Sequence, residues 1–142
     1  MTEPNERFFA AFREKVAAQE LGRYLGTKLE EVAPGRAKVS MVCRPDMLNI
    51  LGMVHGAAVF ALMDEAFQAA CNSYGRVAVA LNLSITFHAA PQVGEKLTAT
   101  AREVHAGRRT ATYAIEARAP GERLLATCQA LAYRKDQPLP FV

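Results

Sequence analysis

From Ala57 to Ala70 almost every position is apolar, and the polar exceptions are Asp64, Glu65 and Gln68. A surface helix shows one apolar stripe, whereas a helix apolar around most of its circumference needs cover on all sides. At ~1.5 Å per residue, His55 to Asn72 predicts a helix about 27 Å long. That is too short and too interrupted by carboxylates to cross a membrane, which takes ~20 apolar residues. The pattern therefore predicts a core helix around which the chain wraps.

Upstream, Phe8, Phe12 and Val16 recur every four residues, Phe9 and Ala17 widen the stripe, and Glu6, Arg13 and Lys15 face water. This predicts an amphipathic helix from Pro4 to Gln19, with Pro4 in a first turn where its missing N–H is not needed. Leu21 to Gly26 holds two glycines and leads out of it. Thr27 to Val32 and Arg36 to Cys43 read as strands, joined by Ala33-Pro34-Gly35-Arg36, with the Pro and Gly placements a type II turn prefers. Val39, Met41 and Cys43 alternate with Lys38, Ser40 and Val42, so one face of the second strand is buried.

After Gly75 the period changes to two. Val77 to His88, Lys96 to His105, Arg108 to Ala119 and Leu124 to Arg134 read as strands, with turns at Ala106-Gly107 and Pro120-Gly121. Their hairpin-length connections predict antiparallel pairing. Lys135 to Val142, with Pro138 and Pro140, reads as a loose tail. Helix, two strands, core helix and four strands make an α+β arrangement, a six-stranded antiparallel sheet wrapped around one long helix. A single domain spans residues 1–142, with 1–26 as an N-terminal helical segment and 135–142 as the tail. The sheet edges are free to pair with another copy.

Composition narrows the function more than the fold. The 142 residues are 51% hydrophobic and 22% charged, ordinary for one globular domain. A net charge of +3, with Lys and Arg spread along the chain, is too mild for nucleic acid. It suits an anionic small ligand or simple solubility equally. The first residues mix acids and bases and lack the apolar run of a signal peptide. Cys43, Cys71 and Cys128 are odd in number and widely spaced, which reads as structural thiols in a reducing cytoplasm. No CxxC occurs and His55, His88 and His105 lack ligand spacing, so no metal site is expected.

Candidate chemistry gathers at the core helix. Its first turn, at Met53-Val54-His55-Gly56-Ala57, offers unpaired N–H groups and the positive end of the helix dipole. Gly56 leaves that backbone open, as an oxyanion site for acyl chemistry requires; tight packing at a helix start would also call for glycine, and spacing alone leaves both readings open. Asp64 lies midway along the apolar helix, where burial would raise its pKa and make it a better base near neutral pH. A groove-facing Asp bonded to Gln68 one turn on is the plainer alternative. Glu65, Gln68 and Asn72 share a polar stripe, which makes Glu65 the exposed member of the acidic pair. Asn49 could bond a carbonyl or an attacking water, or simply form a turn. His55 could orient that Asn or cap the helix. Ser73 and Ser84 lack a Gly-x-Ser-x-Gly setting, so no serine nucleophile is expected.

Gly56 and Asp64 are eight residues apart, ~12 Å along a helix axis. One carbonyl cannot touch both within a chain. Two antiparallel copies of the helix would bring each Asp64 near the other's Gly56, giving two sites per two-fold dimer.

These residues resemble a known family. MLNILGMVHGAAVFALMDEAFQAACNS is similar to the hotdog-fold thioesterases, in particular the phenylacetic-acid-degradation (PaaI-like) branch of the 4-hydroxybenzoyl-CoA thioesterase superfamily. That branch shows Asn, a spacer, His-Gly-Gly and an Asp nine residues after the His; here Asn49, His55-Gly56 and Asp64 match. ITFHAAPQVGEKLTATAREVHAGRRTATYAIEAR also looks like the family's strand region, so the resemblance covers roughly Leu25 to Arg134. It implies a hotdog fold and an acyl-CoA thioesterase with Asp64 as general base or nucleophile. Gly56 N–H of the neighbouring subunit would polarise the thioester carbonyl, while Asn49 and His55 position carbonyl and water. Ala57 replaces the motif's second Gly. His88-Ala89-Ala90-Pro91 lacks a family arginine, and the strand after the helix offers only Asn82 where relatives carry a hydroxyl or carboxylate.

The implied protein is a cytoplasmic enzyme releasing a free acid and coenzyme A from an aryl- or medium-chain acyl-CoA. It needs no cofactor, coenzyme A being part of the substrate, and works as a homodimer assembled into a homotetramer. Phe60 and Phe67, with Met63, could line the acyl pocket or simply pack the core. Arg108 and Arg109 are candidates for the coenzyme A phosphates, strand-end solvation being the alternative. Two rivals stand beside this reading. A hotdog hydratase or dehydratase would pair a catalytic His with an acid, and a non-catalytic acyl-CoA-binding module would bind without turnover.

Overall fold

The computed structural model describes residues 4–142. The first three residues of the expected N-terminal segment lie outside that range. Helix α1 is Glu6–Ala17, opened by Asn5, whose side chain accepts the Phe8 N–H at 3.0 Å. The exit expected at Leu21–Gly26 is a second short helix, α2, Glu20–Leu25, stopped by Gly26 at φ 75°. Strands β1 (Lys28–Ala33) and β2 (Arg36–Val42) form the expected hairpin, with Gly35 at φ 73° in the turn. A 3-10 turn, Pro45–Met47, precedes the loop to the core helix α3, Gly56–Asn72. Strands β3 (Arg76–Phe87), β4 (Lys96–Ala106), β5 (Thr110–Ala119) and β6 (Arg123–Pro138) complete the chain.

The six strands make one antiparallel sheet in the order β1-β2-β4-β5-β6-β3. Antiparallel pairing thus holds, but β3 does not form a hairpin with β4. Both sides of β4 are taken, by β2 and β5, so β3 runs antiparallel to β6 and becomes a free edge. The inner face of the sheet is built largely of alanine. Ala99, Ala101, Ala117, Ala126, Ala130 and Ala132 are all buried, and α3 answers with Ala58, Ala66, Ala69 and Ala70. Small side chains on both surfaces let the sheet close around the helix at core packing density. Tyr113, Leu97, Ile115 and Leu125 fill the remaining volume.

The tail is more ordered than expected. Pairing of β6 with β3 runs on to Arg76↔Pro138, and Arg76 holds Asp136 at 2.6 Å. Leu139 is buried and donates its N–H to the Gly75 carbonyl at 3.1 Å, while the Phe141 ring lies 6.2 Å from Phe12. Apolar anchors after the prolines fasten a segment whose composition suggests a loop.

The core helix is not covered all round. Ala57 and Gln68 are exposed, and Ala61 and Asp64 are half-buried, so one stripe of α3 stays open in a single chain. Among the described residues no helix is long and apolar enough to cross a membrane.

Candidate active site

The loop ahead of α3 is organised by the side chain of Asn49. Its Oδ1 accepts the N–H groups of Leu51 (2.9 Å) and Met53 (3.1 Å), and its own N–H donates to the Met53 carbonyl at 2.8 Å. The turn-forming reading of Asn49 is therefore realised, and only its Nδ2 is left for a substrate or water. The loop then hands over to His55, the N-cap of α3, whose N–H donates to the Met47 carbonyl at 2.7 Å.

His55 Nδ1 accepts the N–H of Ala57 at 2.9 Å, which places the proton of the neutral ring on Nε2. Ala58 N–H donates to the His55 carbonyl at 3.0 Å. Of the first helical N–H groups, that of Gly56 has no acceptor among the described residues. The Phe87 ring packs close by: a Cβ on Gly56 would lie 3.1 Å from Phe87 Cζ, so a larger residue would have to push the ring aside. A free N–H at the positive end of a helix, without a side chain over it, can stabilise an oxyanion.

Asp64 lies two turns further along, half-buried on the open stripe. Burial alone pushes its carboxyl above the usual range, with no hydrogen bond from the described residues to oppose the shift. Gln68 is not its partner; Gln68 Nε2 donates instead to Gln19 Oε1 at 2.9 Å.

Glu65 corrects an expectation. It is the buried member of the pair, at 9% exposure, and accepts Gln19 Nε2 at 3.2 Å. Its stripe, with Gln68 and Asn72, is polar as expected, but the junction between α1 and α2 covers Glu65 itself. Burial raises the Glu65 carboxyl, the Gln19 bond opposes this and the Asp64 charge adds to it.

The aromatic candidates separate. Phe60 is half-buried one turn before Asp64. Phe67 is 1% exposed with its ring 5.5 Å from Tyr113, edge to face, and Met63 is fully buried, so both belong to the core and not to a pocket wall. Arg108 and Arg109 are exposed on the β4–β5 turn. Arg76, at the start of β3, donates to the Arg108 carbonyl at 3.3 Å, which puts this turn at the C-terminal end of α3. Within one chain they therefore lie about 25 Å from Gly56, a 17-residue helix away. Phe87 and Gln19 are not among the residues that the sequence pattern singles out. The alternation of β3 carries Phe87, but nothing local marks Gln19.

The thioesterase superfamily profile matches residues 51–126, which contain Gly56, Asp64 and the first strands of the sheet after α3. The chain belongs to the thioesterase superfamily. Membership makes it a thioester hydrolase with the hotdog fold. This thioesterase is 39% identical over 121 residues to an Archaeoglobus fulgidus protein provisionally assigned an esterase activity, covering 85% of this chain and 79% of that one. It is 41% identical over 92 residues to the acyl-coenzyme A thioesterase PaaI of Escherichia coli K12, covering 65% of this chain and 66% of the relative. The solved structure of E. coli PaaI, from the phenylacetic acid degradation operon, superposes with a TM-score of 0.87 at 31% identity, covering 92% of this chain and 94% of PaaI.

Proposed function

We propose that this thioesterase hydrolyses an aryl- or medium-chain acyl-CoA to the free acid and coenzyme A, at a site shared between two copies of the chain. The observation that carries the reading is the pairing of a free Gly56 N–H with a half-buried, unpartnered Asp64 on one helix. In the mechanism, Gly56 N–H polarises the thioester carbonyl. The Asp64 carboxylate of the second copy takes a proton from water as the water oxygen bonds to the carbonyl carbon. The oxyanion then collapses, the C–S bond breaks, and the thiolate of coenzyme A leaves and picks up a proton. His55 holds the helix start in shape through its cap, and Asn49 fixes the loop that presents it.

Three features support a dimer. Gly56 and Asp64 are too far apart for one carbonyl, the stripe of α3 around Asp64 is open, and β3 leaves one edge unpaired with Val79, Leu81 and Phe87 exposed. A tetramer would pair two dimers through the outer face of β3, β5 and β6, where Asn82, Ser84, Thr112, Gln129 and Leu131 carry no charge. Neither Arg108 nor Arg109 forms an ion pair among the described residues, and both remain candidates for phosphates of a coenzyme A bound across two subunits. Three free, buried cysteines suit a reducing cytoplasm.

The test is free-thiol release from a panel of aryl- and fatty-acyl-CoA esters. Turnover of at least one supports the reading and identifies the acyl class. Tight binding without release from any ester would replace it with a binding module.

A further inference from the structure

Helix α2 is pinned in place and yet presents two large apolar side chains to solvent. Gly22 is buried; a Cβ there would come within 2.9 Å of Thr27 Oγ1 and 3.5 Å of Glu65 Oε2, so glycine lets α2 lie directly against α3. Arg44 fastens the other end, donating from Nη2 to the Tyr24 carbonyl at 2.8 Å and from Nε to Asp46 at 3.0 Å. On this fixed helix Leu21 is 62% exposed and Tyr24 71% exposed. Residues three apart share a helix face, so the two form one ridge.

Tyr24, on that ridge, borders a groove of about 250 Å³. Tyr24, Leu25, Met47 and Leu48 form its apolar wall, and Ala57 and Ala58 its far side. His55 and Ala57, the chain neighbours of Gly56 on either side, both line the groove. Most of its polar groups are already occupied, Arg44 by Asp46 and the Tyr24 carbonyl and His55 Nδ1 by Ala57, which leaves His55 Nε2–H as a donor at one end. The two amides of a pantetheine arm would find few partners there, whereas hydrocarbon needs none.

We propose that Tyr24, at the exposed face of α2, grips the acyl group of the substrate and is a specificity-determining residue. This rests on the acyl-CoA reading above. With the carbonyl at Gly56 N–H, the acyl group lies along the groove, against the Tyr24 ring on one side and the Ala57 methyl on the other. The Ala57 methyl then narrows the groove and presses the acyl group onto Tyr24.

The test is calorimetric titration with free coenzyme A and two non-hydrolysable thioethers, phenacyl-CoA and octyl-CoA, using wild type, Tyr24→Ala and Tyr24→Phe. Tyr24 is exposed, so the variants should fold. Tyr24→Ala should weaken at least one thioether about tenfold and leave coenzyme A within about twofold, a range that loss of one apolar contact surface covers; Tyr24→Phe should keep wild-type affinity. Equal weakening of coenzyme A and thioethers, no weakening of either thioether, or no thioether binding to wild type would each overturn the proposal. Thiol release by wild type is measured separately. Its absence would sink the hydrolase reading without altering what the titrations say about Tyr24.

Discussion

The side-chain amide of Gln19 donates to the Glu65 carboxylate at 3.2 Å, joining the junction of α1 and α2 to the core helix one residue from Asp64. The same amide nitrogen donates to the Val16 carbonyl at 3.2 Å, and Gln19 Oε1 accepts from Gln68 at 2.9 Å. One side chain thus ties two helices to a third. Gln19→Ala would leave a buried carboxylate without its donor and should cost about 1–3 kcal/mol in chemical denaturation.

Glu65 also makes stability depend on pH. Burial holds its proton more tightly in the folded chain than in the unfolded one. The folded state therefore binds more protons between the ordinary and the raised carboxylate values, and stability falls as pH rises through that window. Glu65→Gln keeps an acceptor for Gln19 but removes the charge. It should melt higher than wild type at neutral pH and lose less of its melting temperature as pH rises from about 4, just below the ordinary Glu value. Identical melting curves across the range would show that the carboxylate is solvated in practice.

Asp64 shifts in the same direction, with opposite consequences for activity and stability. Only the carboxylate accepts a proton from water, so kcat/KM should rise with pH along a limb above the ~3.9 of a solvated Asp. Asp64→Asn should abolish that limb and lower kcat/KM by more than ~100-fold, about 2.7 kcal/mol in the barrier. The variant should also be more stable than wild type at neutral pH, because an amide replaces a desolvated charge. A variant as active as wild type would remove Asp64 from the chemistry.

How much of this was legible in the chain depends on how local the cause is. The core helix, the Pro34-Gly35 turn and the alternating strands follow from short-range pattern, and each appears within a few residues of its expected place. Gly56 and Asp64 stand out because an open glycine at a helix start and a carboxylate on an apolar helix are conspicuous anywhere. The sites of error are tertiary. Glu65 looked exposed because its neighbours on the helix are polar, but what covers it comes from residues 46 positions away. β3 looked like the partner of β4 because the connection is short, and lost that place because β2 fills it. The tail looked loose because prolines hide the anchoring by Leu139 and Phe141.

Gly56→Ala separates packing from chemistry at the helix start. The new Cβ would lie 3.1 Å from Cζ of Phe87, a ring that is 50% exposed and free to give way. Stability should therefore change by no more than about 1 kcal/mol. A methyl group beside the Gly56 N–H, however, keeps the carbonyl away, and kcat should fall by a factor on the order of 100, as for loss of an oxyanion donor. Gly56→Ala with Phe87→Leu should relieve any residual strain without restoring turnover. Recovery of activity in the double variant would mean that Gly56 serves packing alone.

Mixing two inactive variants tests whether the site spans two copies. In a two-fold dimer each site takes Gly56 from one chain and Asp64 from the other. A heterodimer of Gly56→Ala and Asp64→Asn then holds one intact site and one doubly damaged site. Equal mixing after unfolding and refolding makes about half the dimers heterodimers, so thiol release should recover to about a quarter of the wild-type rate per chain. Neither variant alone, taken through the same cycle, should recover. The dependence should also pass through β3: Leu81→Arg, at a 56% exposed position on the unpaired edge strand, should lower both the dimer fraction in sedimentation and the activity together. If mixing gives only the average of the two inactive rates, Gly56 and Asp64 do not act on one carbonyl from opposite subunits, however the chains assemble.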